Sequence, residues 1–161
     1  MKLIKIIDDI FNEEELNNIL QKFKLMNFEK SIFEGDDNMR NSIQCNTIHY
    51  DVAKIILNKT NIYDIIEINP MMRYIKYINN GYFKLHYDEN YEYNNLISKY
   101  TIIIYLNDCL GETIITDDDF NKHIIKNIKN RMVIFDQDLE HEATNRTNKY
   151  IIRTDAMILK V

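Results

Sequence analysis

What most constrains the fold is the chain after Pro70, the only proline in the sequence. Met71–Ile78, Tyr82–Asp88, Tyr100–Leu106, Thr113–Thr116, His123–Ile128, Met132–Phe135 and Lys149–Leu159 are short runs rich in β-branched and aromatic residues. Asn-Gly, Asn-Asp, Leu-Gly and Asp-rich turns separate them. Short strands at short intervals predict an all-β barrel or a double-sheet jelly roll. Such a fold has a mouth between its sheets, a natural place for a small ligand.

Two helices precede these strands. Lys2–Ile7 reads as a first strand. Asn12 is then placed as an N-cap, with Glu15 three residues later as in a capping box. Phe11 and Leu16 are set for a hydrophobic staple, and Glu13, Glu14 and Glu15 sit at the positive end of the helix dipole. Leu16, Ile19, Leu20 and Phe23 follow at helical spacing. Phe28–Phe33 reads as a strand, Glu34–Asn38 as a loop, and Asp51–Lys59 as a second helix with Val52, Ile55 and Ile56 inward. The expected architecture is mainly β with flanking helices, a double-stranded β-helix in which the N-terminal helices buttress one sheet. At 161 residues the chain reads as one domain over 1–161, with helical support over about 1–66 and the jelly-roll core over about 67–161.

Tyr82-Phe83-Lys84-Leu85-His86-Tyr87-Asp88 reads as a strand entered through an Asn80-Gly81 turn. Residues two apart on a strand share a face, so His86 and Asp88 project together. One more imidazole would complete the two-His-one-carboxylate face that binds non-haem Fe(II) with open positions, and His141 is the candidate. The plainer reading of such a pair is a half-buried histidine bonded to a nearby acid. His49 and His123 read as surface or structural residues, and Asp117-Asp118-Asp119 as a solvated hairpin tip.

Charge and composition narrow the partners. A net charge of −5 argues against a nucleic-acid backbone, which needs a basic face. No apolar run approaches membrane-spanning length, so no membrane is expected. Cys45 and Cys109 form no C-x-x-C, which points to a reducing, cytoplasmic setting. The first seven residues, interrupted by Lys5 and followed by Asp8-Asp9, are too short and too charged for a signal peptide.

The ordered features from Arg40 onward resemble the 2-oxoglutarate- and Fe(II)-dependent dioxygenases, and among them the prolyl 4-hydroxylase-like branch. Arg40-Asn41-Ser42 resembles an Arg-x-Ser loop before the barrel. Tyr77 stands nine residues before the first ligand of the H-x-D formed by His86-Tyr87-Asp88. Ile104-Tyr105-Leu106-Asn107 resembles a Tyr-Leu-Asn strand, and Gly111-Glu112-Thr113 a Gly-Gly-Glu-Thr turn with one glycine fewer. Met132–Asp136 leads to His141-Glu142, and Lys149–Asp155 closes the pattern after a shorter interval than the family's. About three quarters of the chain is covered.

The resemblance implies an enzyme that couples decarboxylation of 2-oxoglutarate to hydroxylation of a C–H bond, with Fe(II) and O2 as cofactors and ascorbate as reductant. His86, Asp88 and His141 would be the catalytic metal ligands. The acid at Asp88 implies hydroxylation, since halogenating relatives replace it with a small residue. The distal carboxylate of 2-oxoglutarate needs a cation. Lys149 and Arg153 both qualify, four apart on one strand face and about 13 Å from one another. The family match favours Lys149, while fork geometry favours Arg153. Tyr77 resembles a tyrosine that hydrogen-bonds the cosubstrate. The implied target is a prolyl or other residue in a peptide, with a free amino acid or small metabolite as the alternative. Oxidative demethylation of nucleic acid is disfavoured by charge. A non-catalytic jelly-roll binding module is the reading from another class. Glu34–Gln44 and Glu89–Lys99 are the candidate substrate loops.

Overall fold

The computed structural model describes residues 2–144 and 147–161. In chain order its elements are β1 (Ile4–Ile7), α1 (Glu13–Leu25), β2 (Glu29–Lys30), β3 (Arg40–Asn41), β4 (Ile43–Ile48), α2 (Tyr50–Thr60), β5 (Glu67–Ile68), β6 (Met71–Tyr77), β7 (Tyr82–His86), β8 (Glu92–Tyr93), β9 (Leu96–Tyr105), β10 (Glu112–Thr116), β11 (Lys122–Lys126), β12 (Met132–Asp136), β13 (Glu140–Thr144) and β14 (Lys149–Leu159). The strands form two antiparallel sheets. The larger runs β1-β12-β9-β14-β6-β4-β2, with β5 added to β14 and β8 to β9; the smaller runs β11-β10-β13-β7-β3. This is the jelly roll expected from the sequence.

The central strands of the larger sheet read as continuous apolar runs because both their faces are covered. Alternate side chains of a strand point to opposite faces. Tyr74, Ile102, Ile104, Ile134 and Ile152 pack against Ile19 and Phe23 of α1 and Val52, Ala53 and Ile56 of α2. Their alternates Ile75, Ile103, Tyr105, Val133, Phe135 and Ile151 face the smaller sheet, meeting Ile115 and Ile125. The helices therefore buttress one side of the larger sheet and leave its other side to line the space between the sheets. The capping box that starts α1 is formed: Glu15 N donates to Asn12 Oδ1 at 2.8 Å, and Asn12 N to Glu15 Oε1 at 3.4 Å.

Three segments differ from the sequence reading. β13 carries the second histidine, yet Glu-His-Glu-Ala-Thr has no strand signature; it is a strand because it is paired on both sides, to β10 and β7. β4, with its weak alternation Ile-Gln-Cys-Asn-Thr-Ile, pairs β6 over its whole length. β9 begins four residues before Tyr100, so Leu96–Lys99 belongs to a strand and not to a loop.

The turn into β7 is built by asparagines. Asn79 (φ 52°) and Asn80 (φ 60°) take left-handed conformations, and Gly81 N donates to Ile78 O at 3.0 Å. Gly81 serves a close approach, because a Cβ there would stand 2.6 Å from the Asn41 carbonyl oxygen. Gly81→Ala is expected to push β3 away from β7 and to destabilise the fold by ~1–3 kcal/mol, as overpacking does. A shift in the denaturation midpoint checks this, and no shift would mean that the edge strand yields freely.

Candidate active site

His86 ends β7, His141 lies on β13, and the two are direct cross-strand partners. The carbonyls of Lys84 and Leu139 fix their tautomers. His86 Nδ1 lies 2.6 Å from Lys84 O, and His141 Nδ1 lies 3.1 Å from Leu139 O. A carbonyl only accepts, so each Nδ1 carries the proton and each Nε2 presents a lone pair. The rings are 4.2 Å apart between centroids. His86 stacks on Phe83 at 3.4 Å and an interplanar angle of 13°, and Phe135 meets His141 edge-on. Burial pushes His141 down to about 4, against the opposing pull of Asp88. It is a neutral imidazole at pH 7.

Asp88 lies two residues beyond β7, and its carboxylate reaches both rings. Oδ1 is 3.7 Å from His86 Nε2, and Oδ2 is 3.5 Å from His141 Nε2. Thr101 Oγ1 donates to Oδ2 at 2.7 Å and Arg153 Nη2 to the same oxygen at 3.0 Å. Both strong donors thus take Oδ2, the oxygen on the His141 side, and leave Oδ1 facing His86. Burial pushes the Asp88 pKa up, but Arg153, His86, His141 and Thr101 together hold it well below the usual carboxylate range. The ligand atoms of His86, Asp88 and His141 lie within 4.8 Å of one another. Two neutral imidazoles and one anionic oxygen converging in this way suit a divalent first-row metal, and backbone and side-chain partners already orient all three.

Arg153 has two anionic partners. Besides Asp88, its Nη1 lies 2.8 Å from Asp155 Oδ1. Gln137 Nε2 donates to the same Asp155 oxygen at 2.9 Å, and Ser98 Oγ donates to Gln137 Oε1 at 2.7 Å. This chain of polar groups ties Asp88 to the first residues of β9.

The inward residues of β6 and β14 form three successive rungs: Tyr77 opposite Lys149, Ile75 opposite Ile151, and Arg73 opposite Arg153. Lys149 is 1% exposed. Its Nζ lies 3.3 Å from Thr113 Oγ1 and 3.4 Å from Glu112 O, and 5.5 Å from the ring centroids of both Tyr77 and Tyr105. Tyr105 Oη donates to Thr113 Oγ1 at 2.7 Å. Burial pushes Lys149 down to about 8. Among the described residues it is a buried cation supplied with neutral oxygens and aromatic faces, and no carboxylate pairs with it.

Two connected spaces serve this site. A narrow inner cavity of about 30 Å³ is lined by the three histidine and aspartate side chains together with Tyr77, Thr113 and Lys149. An outer cleft of about 650 Å³ is lined by Ile32, Phe33 and Glu34 on one side and Glu89, Asn90 and Tyr91 on the other. The two loops singled out in the sequence therefore both border it. Arg40, Arg73, Phe83, His86, Asp88 and Arg153 line both spaces.

Sequence reasoning singled out no role for Thr101, Tyr105, Thr113 or Arg73. Arg73 carried a legible signal: it is four residues from Tyr77 on one strand, so the two share a face. Thr101 reads as β-branched filler in an apolar run, and only the fold brings it to Asp88. His49 and His123 are remote from the centre. His49 Nδ1 lies 2.6 Å from Tyr74 Oη, and His123 pairs with Asp117 at 2.8 Å beside the hairpin tip.

The model of the 2OG-Fe(II) oxygenase superfamily matches residues 72–154. A Trichoplax adhaerens prolyl hydroxylase, solved with a hypoxia inducible factor oxygen degradation domain peptide fragment, superposes with a TM-score of 0.74 at 14% identity, covering 96% of this chain and 83% of that one. A Pseudomonas putida prolyl-4-hydroxylase gives 0.71 at 8% identity, with 98% and 92% covered. A viral collagen prolyl hydroxylase from Paramecium bursaria Chlorella virus-1, in its 2OG complex, gives 0.68 at 19% identity, with 97% and 96% covered. No curated protein matches the sequence.

Proposed function

This chain belongs to the 2OG-Fe(II) oxygenase superfamily, and from that premise we propose that it hydroxylates a prolyl residue in a peptide or protein. Membership makes it an oxygenase that works with Fe(II), 2-oxoglutarate and O2. The observation that carries the site assignment is the convergence of His86, Asp88 and His141 within 4.8 Å beneath a cavity closed by a buried lysine.

In this reading His86 and His141 offer Nε2 and Asp88 offers Oδ1 to the iron. The chemistry such a centre supplies is oxidative decarboxylation coupled to hydroxylation, in which substrate, 2-oxoglutarate and O2 become hydroxylated substrate, succinate and CO2. Lys149, with Thr113, Tyr105 and Tyr77 around it, receives the distal carboxylate of 2-oxoglutarate. Arg153 is engaged by Asp88 and Asp155 at the other end of the cavity, which supports Lys149 as the anchor. Ile75, Ile103 and Ile151 line the inner cavity and keep water from it, which strengthens each charge interaction inside. The prolyl target is supported by the three similar prolyl hydroxylases, one solved with a peptide, and by the outer cleft of about 650 Å³ beside the site.

Incubation with iron, 2-oxoglutarate, ascorbate and a panel of proline-containing peptides and free amino acids is expected to give succinate and a mass gain of one oxygen on a peptide. Oxygen gain only on free amino acids would replace the peptide reading with the small-molecule one. Absence of iron-dependent succinate under all conditions would leave a binding module.

A further inference from the structure

Two cations where the inner cavity meets the outer cleft form no close ion pair among the described residues. The Arg73 side chain makes no hydrogen bond or ion pair among the described residues, and Asp88 and Asp155, the partners of Arg153, attract it only at longer range. Its cross-strand partner Arg153 is fully engaged by Asp88 and Asp155 and offers it nothing. Arg40 is 5% exposed. Its Nε donates to Ser42 Oγ at 2.7 Å, its guanidinium lies 4.7 Å above the Phe83 ring and also hydrogen-bonds the Tyr77 side chain, but its Nη2 is buried without a hydrogen-bond partner. Glu34 and Glu89 border the same cleft and pair with neither arginine. A buried donor left unpaired is destabilising, the more so when it is charged, and cations in such a place are stabilised when a ligand brings the missing charge.

We propose that Arg73 and Arg40 form the recognition site for a carboxylate carried by the primary substrate beside the carbon that is hydroxylated. The inference rests on the reading above, in which 2-oxoglutarate occupies the Lys149 end. Lys149 lines only the inner cavity, whereas both arginines also line the outer cleft through which a substrate enters. The Arg73 rung is two inward positions from the Lys149 rung, about 13 Å along the strands. Two planar guanidinium groups suit a carboxylate, which accepts paired N–H donors. The carboxylate has two possible sources: an acidic side chain next to the target proline in a peptide, or the α-carboxylate of a free amino acid.

The test is binding of matched ligands to the protein loaded with Mn(II) and 2-oxoglutarate under nitrogen, so that no turnover intervenes. One pair is a capped tetrapeptide with Glu or Gln beside proline; the other is proline and prolinamide. The carboxylate member of one pair is expected to bind about tenfold tighter or more, as a charged hydrogen-bonded contact does, and the pair that responds identifies the source. Arg73→Gln and Arg40→Gln should erase that preference, and Arg73→Gln should leave 2-oxoglutarate affinity unchanged, while Arg73→Lys, which keeps the charge in the same fold, should retain part of the preference. Equal binding within both pairs would overturn the proposal. So would loss of 2-oxoglutarate affinity in Arg73→Gln with the preference intact, which would assign the arginine to the cosubstrate. The prolyl hydroxylase reading stands or falls separately, on the oxygen mass shift: a carboxylate preference with no hydroxylated peptide keeps this site and removes that reading.

Discussion

Replacing Asp88 with alanine is expected to abolish metal binding and 2-oxoglutarate turnover together, and to cost more folding stability than replacing either histidine. The activity loss follows from the geometry. Asp88 is the only anion among the three converging side chains, and His86 and His141 alone offer two neutral nitrogens. The stability cost follows from Arg153. Its guanidinium lies 3.0 Å from Asp88 and 2.8 Å from Asp155, so removing Asp88 strips half the countercharge from a buried cation. Breaking a buried pair on one side typically costs about 3–5 kcal/mol, and the surviving Asp155 contact puts the expected loss near the lower end. His86→Ala and His141→Ala each free one backbone carbonyl, a loss of about 1–3 kcal/mol, but leave the pairing of Arg153 with Asp88 and Asp155 in place. Metal stoichiometry, succinate formation and chemical denaturation measured on the three variants check both halves. Full activity in His141→Ala would remove the metal assignment, and equal stability in Asp88→Ala and wild type would show that Arg153 does not need Asp88.

The same arginine marks where legibility in the sequence ended. The sequence reading makes Arg153 a candidate cosubstrate clamp, whereas the structure pairs it with Asp155 and Asp88. The second acid, Asp88, is 65 residues away in sequence, and only closure of β14 beside β9 and β6 brings the two together. The strands that read clearly were those buried on both faces, such as β12 and β14, because continuous apolar runs have few other uses. β13 did not read at all. Its sequence is polar because His141, Glu142 and Ala143 line the inner cavity and because its backbone is held by partners on both sides. A strand that carries function is the one whose composition is least free to look like a strand. The spacing of His86 and Asp88 remained informative even though β7 stops at His86, since the two residues that follow continue in extended form far enough to return the carboxylate to the histidine face.

Lys149→Met is expected to stabilise the metal-free protein and to destroy its affinity for 2-oxoglutarate. Burial pushes Lys149 from 10.5 in the open chain down to about 8. Between these values the unfolded chain holds a proton that the folded protein lacks, so stability rises with pH across that window. Below pH 8 both states are protonated and the folded protein bears the whole penalty of a buried, uncompensated charge, about 3 kcal/mol for a gap of this size. Methionine fills similar volume without the charge, and Thr113 keeps its bond from Tyr105. The denaturation midpoint of the variant at pH 7 should therefore rise, and the wild type alone should gain stability between pH 8 and 10. Cosubstrate reverses the sign. A carboxylate placed beside Nζ favours the charged form, so wild-type affinity for 2-oxoglutarate should fall as pH rises above 8, by up to about tenfold per unit, while the variant binds weakly at every pH. Arg153→Ala is the control: it should weaken metal retention through Asp88 and leave the pH dependence of cosubstrate affinity in place. If Arg153→Ala instead raises the Michaelis constant for 2-oxoglutarate by orders of magnitude and Lys149→Met barely changes it, the cosubstrate lies toward the opposite rung, and the buried lysine has a purely structural environment of hydroxyls and aromatic rings.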